Sequence, residues 1–343
     1  MLHRKTVLMA SVLAGFVLAC GPGDNNNTGG AGGTGGTGAT GGMGGTGGSG
    51  GNMPDPPGPK DPDATLRAAI FMGSCVPDDG VQRFLNRFYT RLGGPPGEPE
   101  LDDYLPCFAS KTNGCQAIEE CLGIKVDLSG PCAPTCTGNV LKVCDDQLAF
   151  TQDCSKLGLT CSQAEGECVS STPAGPTCDF DTFQEVCQDG APRICSGTEV
   201  SGPVCADYGL ACKEAPFGGV ACLGTGASCT STTVSPLYVN FDEGIACDGT
   251  ALRTCVSGGE HAVECNTLGT GFTCQTMGAA NFCGLSNTCD PNAGNDSTCE
   301  GDSVVVCNAG RVDKIDCKTL GFTGCNATWG TCSPSVYDQA PQP

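Results

Sequence analysis

The sequence contains little histidine, tryptophan and positive charge. Its 343 residues include 2 His, 1 Trp and 17 Lys and Arg, against 37 Asp and Glu, for a formal net charge of −20. A chain this acidic lacks the basic surface that attracts nucleic acid or anionic lipid. His261 is the one histidine after the first 20 residues, no serine nucleophile elbow accompanies it, and neither Cys-x-x-Cys nor a histidine cluster is present. We therefore predict no catalytic activity, no cofactor, no metal site and no nucleic-acid partner.

Cysteine is abundant instead. The chain holds 29 Cys, together with 53 Gly and 23 Pro. This density is typical of disulfide scaffolds, which persist only where thiols are oxidised. We therefore predict an exported protein of the small disulfide-rich fold class, with an N-terminal four-Cys α-helical module followed by four disulfide-stapled β-hairpin repeats.

The first 20 residues resemble the signal of a bacterial lipoprotein. A short basic start precedes an apolar run that is too short to remain in a bilayer as a spanning helix. Val17-Leu18-Ala19-Cys20 is similar to a lipobox, in which the cysteine is acylated and the signal is cleaved before it. The resemblance implies a signal peptide over residues 1–19, a membrane anchor on Cys20 and, because Gly21 follows, sorting to the outer membrane. The alternative is plain secretion.

Residues 20–62 form a predicted linker. Seventeen of the 31 residues from Gly21 to Gly51 are Gly, and a proline-rich segment follows. A chain of this composition and length has a root-mean-square reach of about 35 Å, which holds a folded body clear of the lipid headgroups. The match Gly33-x-Gly35-x-x-Gly38 to a dinucleotide fingerprint is an accident of composition, because no strand or helix flanks it.

Helical periodicity begins after the linker and defines a predicted module over residues 63–130. An amphipathic helix is indicated by Val81, Phe84, Leu85, Phe88 and Leu92, with Asp78 or Asp79 as its N-cap and Gly93-Gly94-Pro95 as its stop. Further helices are predicted over 63–72 and 115–122, the latter with Gly123 as C-cap. The opposite face of the central helix carries Arg83, Arg87 and Arg91, which we interpret as a solvated face, with a docking stripe for an acidic partner as the alternative.

Four cysteines lie in this module: Cys75, Cys107, Cys115 and Cys121. If residues 115–121 are helical, the rise of about 9 Å exceeds the reach of a disulfide between its ends. Two connectivities remain open. Either Cys75 bonds Cys115 and Cys107 bonds Cys121, or Cys75 bonds Cys121 and Cys107 bonds Cys115.

The remaining 24 cysteines form four sets of six. Seven residues separate the second and third cysteine of every set, and nine separate the third and fourth. Constant spacing of this kind indicates an internal repeat. The predicted units span 131–170, 176–224, 227–285 and 287–334, followed by a tail at 335–343. Their cysteines, all predicted to form disulfides, are Cys132, Cys136, Cys144, Cys154, Cys161 and Cys168; Cys178, Cys187, Cys195, Cys205, Cys212 and Cys222; Cys229, Cys247, Cys255, Cys265, Cys274 and Cys283; Cys289, Cys299, Cys307, Cys317, Cys325 and Cys332.

Each unit is predicted to contain a β-hairpin. The segment before the third cysteine alternates apolar and polar residues, a turn follows, and a second strand runs into the fourth cysteine. Units of this size rarely bury enough apolar surface to fold alone, so three disulfides per unit are expected to stabilise them. The pattern Cys-x-Gly-Asn-x-x-x-x-Cys at Cys136 resembles the small chitin-binding modules of carbohydrate-binding family 19. That resemblance implies glycan binding, yet Phe150 is the one aromatic residue in the second strands.

The functional expectation is a cell-envelope lipoprotein on the cell surface, displaying its repeats for binding, adhesion or a structural role to an extracellular protein or glycan. One alternative is a glycan-binding module for chitin-like or peptidoglycan-like chains. A second is a protease inhibitor or envelope hydrolase, for which the long gap from Cys229 to Cys247, with Pro236-Leu237-Tyr238 inside it, is the candidate loop. His261 is expected at the surface. The acidic loop with Asp290, Asn292, Asn295, Asp296, Glu300 and Asp302 lacks the ligand order of an EF-hand, so we expect a solvated loop rather than a calcium site.

Overall fold

The computed structural model describes residues 59–76, 80–93, 104–127, 134–144, 149–157, 159–163, 166–169, 175–195, 198–216, 218–231, 234–241, 244–292 and 297–335. Several predicted features lie outside these ranges: the signal peptide, Cys20, nearly all of the linker, Asp78, Asp79, Gly94, Pro95, Cys132, Asn295, Asp296 and the tail after Ser335. Within the described ranges, no helix is both long enough and apolar enough to cross a bilayer.

The first helix, α1 (Pro62–Cys75), lies at the centre of the molecule. The Asp61 side chain caps it by accepting from the backbone N–H groups of Asp63 and Ala64, and Pro62 stands at its first position. Eleven of its 14 residues are buried, because small or apolar residues occupy every position from Ala68 to Met72 and other elements pack around them. The helix covers the predicted span of 63–72 and extends by three residues beyond it.

The second helix, α2 (Gly80–Thr90), packs against α1. It buries Val81, Phe84, Leu85 and Phe88, as the periodicity predicts. The prediction that Leu92 continues this helix is wrong. Residues Arg91–Gly93 form strand β1, which pairs with β13 (Val239–Asn240) of the third cysteine-rich unit. Pairing with a distant strand therefore determines the conformation of these residues, which local periodicity does not reveal.

Two short helices complete the N-terminal part. They are α3 (Leu105–Ala109) and α4 (Gln116–Leu122). Gly123 ends α4 in the left-handed conformation, with φ of 69°, as the sequence indicates. The disulfides are Cys75–Cys115 and Cys107–Cys121, which is the first of the two pairings left open by the sequence.

The four units share one architecture. In each unit a three-stranded antiparallel meander is followed by a one-turn helix that begins at the fourth cysteine, and then by a second hairpin. In the third unit this hairpin joins the sheet of the meander, because one of its strands pairs with the first strand of the meander; in the other three units it forms a two-stranded sheet of its own. The meanders are β3 (Thr135–Thr137), β4 (Val140–Cys144), β5 (Ala149–Asp153); β8 (Val186–Gln188), β9 (Ala191–Cys195), β10 (Glu199–Ser201); β14 (Gly244–Asp248), β15 (Ala251–Val256), β16 (Gly259–Glu264); and β19 (Thr298–Glu300), β20 (Ser303–Asn308), β21 (Arg311–Asp316).

The one-turn helices and second hairpins follow in the same order. They are Cys154–Leu157 with β6 (Thr160–Ser162) and β7 (Glu167–Val169); Cys205–Tyr208 with β11 (Ala211–Glu214) and β12 (Val220–Leu223); α5 (Cys265–Leu268) with β17 (Thr273–Met277) and β18 (Ala280–Gly284); and Cys317–Leu320 with β22 (Gly324–Asn326) and β23 (Thr331–Ser333). The predicted hairpins are confirmed as the last two strands of each meander. The sequence indicates neither the first strand nor the second hairpin of each unit; outside the third unit these strands have only three or four residues, which is too few to show a period.

The second, third and fourth units follow one disulfide connectivity, which the sequence alone does not give. The first cysteine bonds the third, the second bonds the fifth, and the fourth bonds the sixth. In the first unit, Cys136–Cys161 and Cys154–Cys168 follow the same rule. The fifth and sixth cysteines face each other across the second hairpin but bond away from it. Two bridges therefore clamp that hairpin to the meander and to the one-turn helix.

The units pack into one body with the N-terminal helices. Strand β2 (Ile124–Asp127), which follows α4, adds to the sheet of the first unit by pairing with β5. At the other end of the chain, the backbone N–H of Cys332 in the fourth unit donates to Ser74 Oγ of α1 over 3.0 Å. One buried cluster joins α1, α2 and α4 to the first, third and fourth units. The second unit forms smaller clusters, one of them shared with the third unit.

Candidate binding cleft

A cleft of about 240 Å³ opens between α2, the sheet of the third unit and a loop of the fourth. Its described lining residues are Asn86, Tyr89, Thr90, Phe241, Gly244, Leu252, Leu268, Asn281, Phe282, Cys283, Pro291, Asn292 and Ala309. None of them carries a charged side chain. The described part of the lining thus consists of rings, amides and small or aliphatic groups without charge, whereas the sequence as a whole is strongly acidic.

Helix α2 forms one wall and is fixed to the fourth unit by Gln82. The Gln82 amide donates from Nε2 to the Cys307 carbonyl over 2.9 Å, and its Oε1 accepts from the Cys307 N–H over 3.0 Å. Cys307 lies on β20 beyond the stretch that pairs with β19. The amide of this buried side chain therefore takes the place of a strand residue, and it sets the distance between α2 and the sheet.

Asn86, one turn further along α2, points its amide into the cleft. Its Oδ1 accepts from Gln82 Nε2 over 2.9 Å, and its Nδ2 donates to the Pro291 carbonyl over 2.7 Å. These two bonds fix the orientation of the amide. Since an amide has two donor hydrogens and two acceptor lone pairs, one of each remains for a ligand.

Tyr89 supplies an aromatic ring to the same wall. Its hydroxyl donates to Asn308 Oδ1 over 2.9 Å, and its ring packs at 5.0 Å from that of Phe272. Burial raises the pKa of the Tyr89 hydroxyl well above its usual range, so the phenol stays protonated. Asn308 in turn donates to the Pro62 carbonyl and to Asp313, which connects this wall to the start of α1.

The third unit supplies the opposite wall. Phe241 follows β13 and stacks one side of its ring on His261, with 6.2 Å between the ring centroids. Phe241 is also part of the described lining of the cleft. Asn281 of β18 accepts at Oδ1 from Thr276 Oγ1 over 2.9 Å and donates from Nδ2 to the Ile245 carbonyl over 3.3 Å. Like Asn86, it is held in one orientation with hydrogen-bonding capacity to spare.

His261 differs from its predicted position at the surface. It is half-buried where the second and third units meet, between Phe241 and the turn at Gly209, where an added Cβ would lie 3.1 Å from its ring. Burial lowers the pKa of the imidazole below its ordinary value of 6.5. The contact between the two units shields His261 from water. Its position in the sequence alone assigns it to an exposed hairpin.

Of the other residues singled out from the sequence, Cys283 and Asn292 line the cleft, whereas the arginine stripe and the candidate inhibitor loop are not part of its described lining. Arg83 is exposed, while Arg87 is half-buried with its guanidinium 6.0 Å from the centre of the Phe84 ring. The segment Pro236-Leu237-Tyr238 is half-buried, and Val239 just after it is buried. The predicted inhibitor loop is therefore packed against the body along its described part, because β13 pairs with β1.

The described acidic side chains after Cys289 pair locally. Asp290 accepts from the backbone N–H of Asn292 over 2.9 Å, Glu300 pairs with Lys314 over 3.0 Å, and Asp302 pairs with Lys318. The contact with Asp302 raises the pKa of Lys318. Within the described residues, no cluster of three or more potential metal ligands is found.

Sequence reasoning missed most of the cleft. An apolar period or a cysteine spacing identifies the segments that contain Gln82, Asn86, Tyr89 and Asn281. Neither signal marks these four residues as part of a site. A polar Gln82 beside Val81 on the buried side of an otherwise regular amphipathic helix was the one available signal. Comparison of the chain with protein families, with curated proteins and with solved structures found no match in any of the three.

Proposed function

We propose that this protein is a lipoprotein of the bacterial outer membrane that displays its cysteine-rich repeats to bind a ligand at the cell surface. In this proposal Cys20 carries the lipid, residues 21–62 are the tether, and the helical module of residues 63–130 joins the repeats into a rigid receptor. The observation that supports a binding role is the cleft between α2 and the third and fourth units, because aromatic rings in its lining can pack against a ligand and amides can hydrogen-bond to it.

The disulfides provide independent support for export. Thirteen bridges lie within the described residues, and a reducing cytosol does not sustain such a number. The extensive disulfides therefore indicate an exported protein.

The first described residues, which follow the proposed tether, are hydrogen-bonded to the third unit. The Lys60 N–H donates to the Leu268 carbonyl over 3.2 Å, and the Thr270 N–H donates to the Lys60 carbonyl over 2.8 Å. Lys60 is buried against the third unit and leads directly into α1. The tether therefore joins the body at its best-packed helix rather than at a peripheral loop.

The anchor is tested by metabolic labelling with a radioactive fatty acid in a bacterial host. The full chain is expected to incorporate label and to fractionate with the outer membrane, whereas Cys20→Ser is expected to lose both. Incorporation that survives Cys20→Ser, or a wild-type chain recovered entirely from the soluble fraction, contradicts lipid anchoring.

Binding is tested by sedimentation of the full Cys20→Ser chain with insoluble peptidoglycan, chitin and cellulose, and with intact cells. Capture that is lost after reduction and alkylation assigns binding to the folded body. Absence of capture by every polymer and by cells contradicts the proposed role in binding.

A further inference from the structure

We infer that the cleft binds one uncharged sugar residue, held between the ring of Phe241 and the amides of Asn86 and Asn281. This inference rests on the proposed binding function and names the class of ligand.

The described lining offers no oppositely charged partner to a charged ligand. A charge that loses water in a cleft without a partner of opposite sign is strongly destabilised, and none of the described lining residues is charged. The net charge of the chain adds long-range repulsion against anions. A uronic acid or a free amino sugar therefore fits less well than a neutral sugar.

The amides select hydroxyl groups. Asn86 and Asn281 are each held by two protein contacts, and each retains one N–H and one lone pair. A hydroxyl both donates and accepts, so each amide satisfies it in both directions without reorienting. Since the amides are ordered before the ligand arrives, little additional side-chain entropy is lost on binding.

The aromatic groups select a ring with an apolar face. Phe241, Tyr89 and Phe282 line the cleft, and Leu252 and Leu268 lie at its buried end. A pyranose presents C–H groups on its faces and hydroxyls around its edge, which matches apolar rings beside fixed amides. The volume of about 240 Å³ is below the usual range for drug-sized ligands. The cleft therefore accepts a single residue, at the end of a glycan or as a free sugar.

The test uses saturation-transfer NMR on the full Cys20→Ser chain with millimolar methyl glycosides of glucose, galactose, mannose and N-acetylglucosamine. Glucuronate, glucosamine and a proline-rich peptide are measured in parallel. Transfer to at least one neutral glycoside, in excess of transfer to the charged sugars and the peptide, is expected. Transfer to none of the neutral glycosides, or equal transfer to charged sugars or peptide, overturns the inference.

Matched variants assign the signal to the cleft. Asn86→Asp places a charge at the ligand and is expected to weaken affinity by about tenfold or more, while Asn287→Asp makes the same change at an exposed site outside the lining. Phe241→Leu removes the stacking ring, and Phe180→Leu makes the same change at a side chain that is 61% exposed. Affinity that is unchanged by Asn86→Asp and Phe241→Leu, in variants with wild-type circular dichroism, overturns the inference.

The two proposals fail in different ways. If the chain sediments with cells or peptidoglycan but binds no neutral glycoside in the cleft, the inference is wrong and the binding function stands. If neither assay detects a ligand, both are wrong.

Discussion

Replacing Gln82 by methionine tests whether the cleft depends on the joint between α2 and the fourth unit. The substitution keeps the length and flexibility of the side chain but removes the amide. Gln82 is 6% exposed, and its amide satisfies both the N–H and the C=O of Cys307. In Gln82→Met, the N–H and the C=O of Cys307 lose their side-chain partner at a partly buried site.

The expected cost follows from the groups left unpaired. An unsatisfied buried backbone group costs about 1–3 kcal/mol, and water reaches part of this site, so Gln82→Met is expected to destabilise the body by about 2–4 kcal/mol. For a body of this size the melting temperature falls by roughly 5–10 °C. Asn86 also loses the donor to its Oδ1, so the amide turns more freely and sugar binding weakens.

The assay is thermal and urea unfolding with disulfides intact, followed by the fluorescence of Trp329. This is the single tryptophan of the chain, it is 40% exposed, and it lies in the turn between β22 and β23 of the fourth unit. Gln275→Met, which removes an amide bonded to Thr273 Oγ1 near the surface, is the control, with an expected change below about 0.5 kcal/mol. A loss for Gln82→Met no larger than that of the control refutes the assigned role of Gln82.

Three further predictions concern stability. Replacing both Cys317 and Cys332 by alanine is expected to lower the free energy of unfolding by about 3 kcal/mol, because the bridge closes a loop of 15 residues. Both cysteines are fully buried, so lost packing adds to this cost, and urea unfolding measures the sum. Gly321→Ala is expected to lower the free energy of unfolding by about 2–4 kcal/mol, because φ is +85° and a Cβ would lie 2.0 Å from the backbone oxygen of Thr112, next to α4. Its control, Gly278→Ala, has φ of +61° and open space around the added Cβ, so the expected cost is only about 1 kcal/mol. Burial lowers the pKa of His261, so the unfolded chain protonates first and stability falls as pH drops below about 6.5. Hydrogen-exchange protection at the contact between the second and third units, measured relative to the intrinsic rate at each pH, is expected to fall over that range in the wild type and not in His261→Gln.

The sequence predicts the central hairpin of each unit better than its disulfide connectivity. Constant cysteine spacing and alternating residues predict the central hairpin, because both are local properties of the chain. The bond between the second and fifth cysteines depends on how the second hairpin folds back over the meander, and three pairs among six cysteines allow 15 connectivities. Only in the N-terminal part does local geometry help: the rise of a helix separates Cys115 from Cys121 and leaves two pairings.

Contacts between distant segments account for the remaining differences. Leu92 follows a helical period and still lies in a strand, because Arg91 and Gly93 pair with Asn240 and Val239. His261 occupies a hairpin position that is solvated in an isolated unit and becomes half-buried when the second unit packs on the third. No local pattern encodes either contact, since each partner lies more than 50 residues away or in another unit.

The cleft depends on the same long-range packing. No single unit supplies the whole cleft: α2 contributes Asn86 and Tyr89, the third unit contributes Phe241 and Asn281, and the fourth contributes Pro291. The second, third and fourth units share one disulfide framework, yet α2 meets only the third and fourth units across this cleft. Two repeated units thus supply part of the cleft, while α2, which belongs to the non-repeated N-terminal part, supplies the remaining wall. We therefore expect one ligand site of this kind per chain rather than one per repeat, so that Asn86→Asp combined with Phe241→Leu removes the saturation transfer to neutral glycosides; transfer that persists in this double variant indicates further sites.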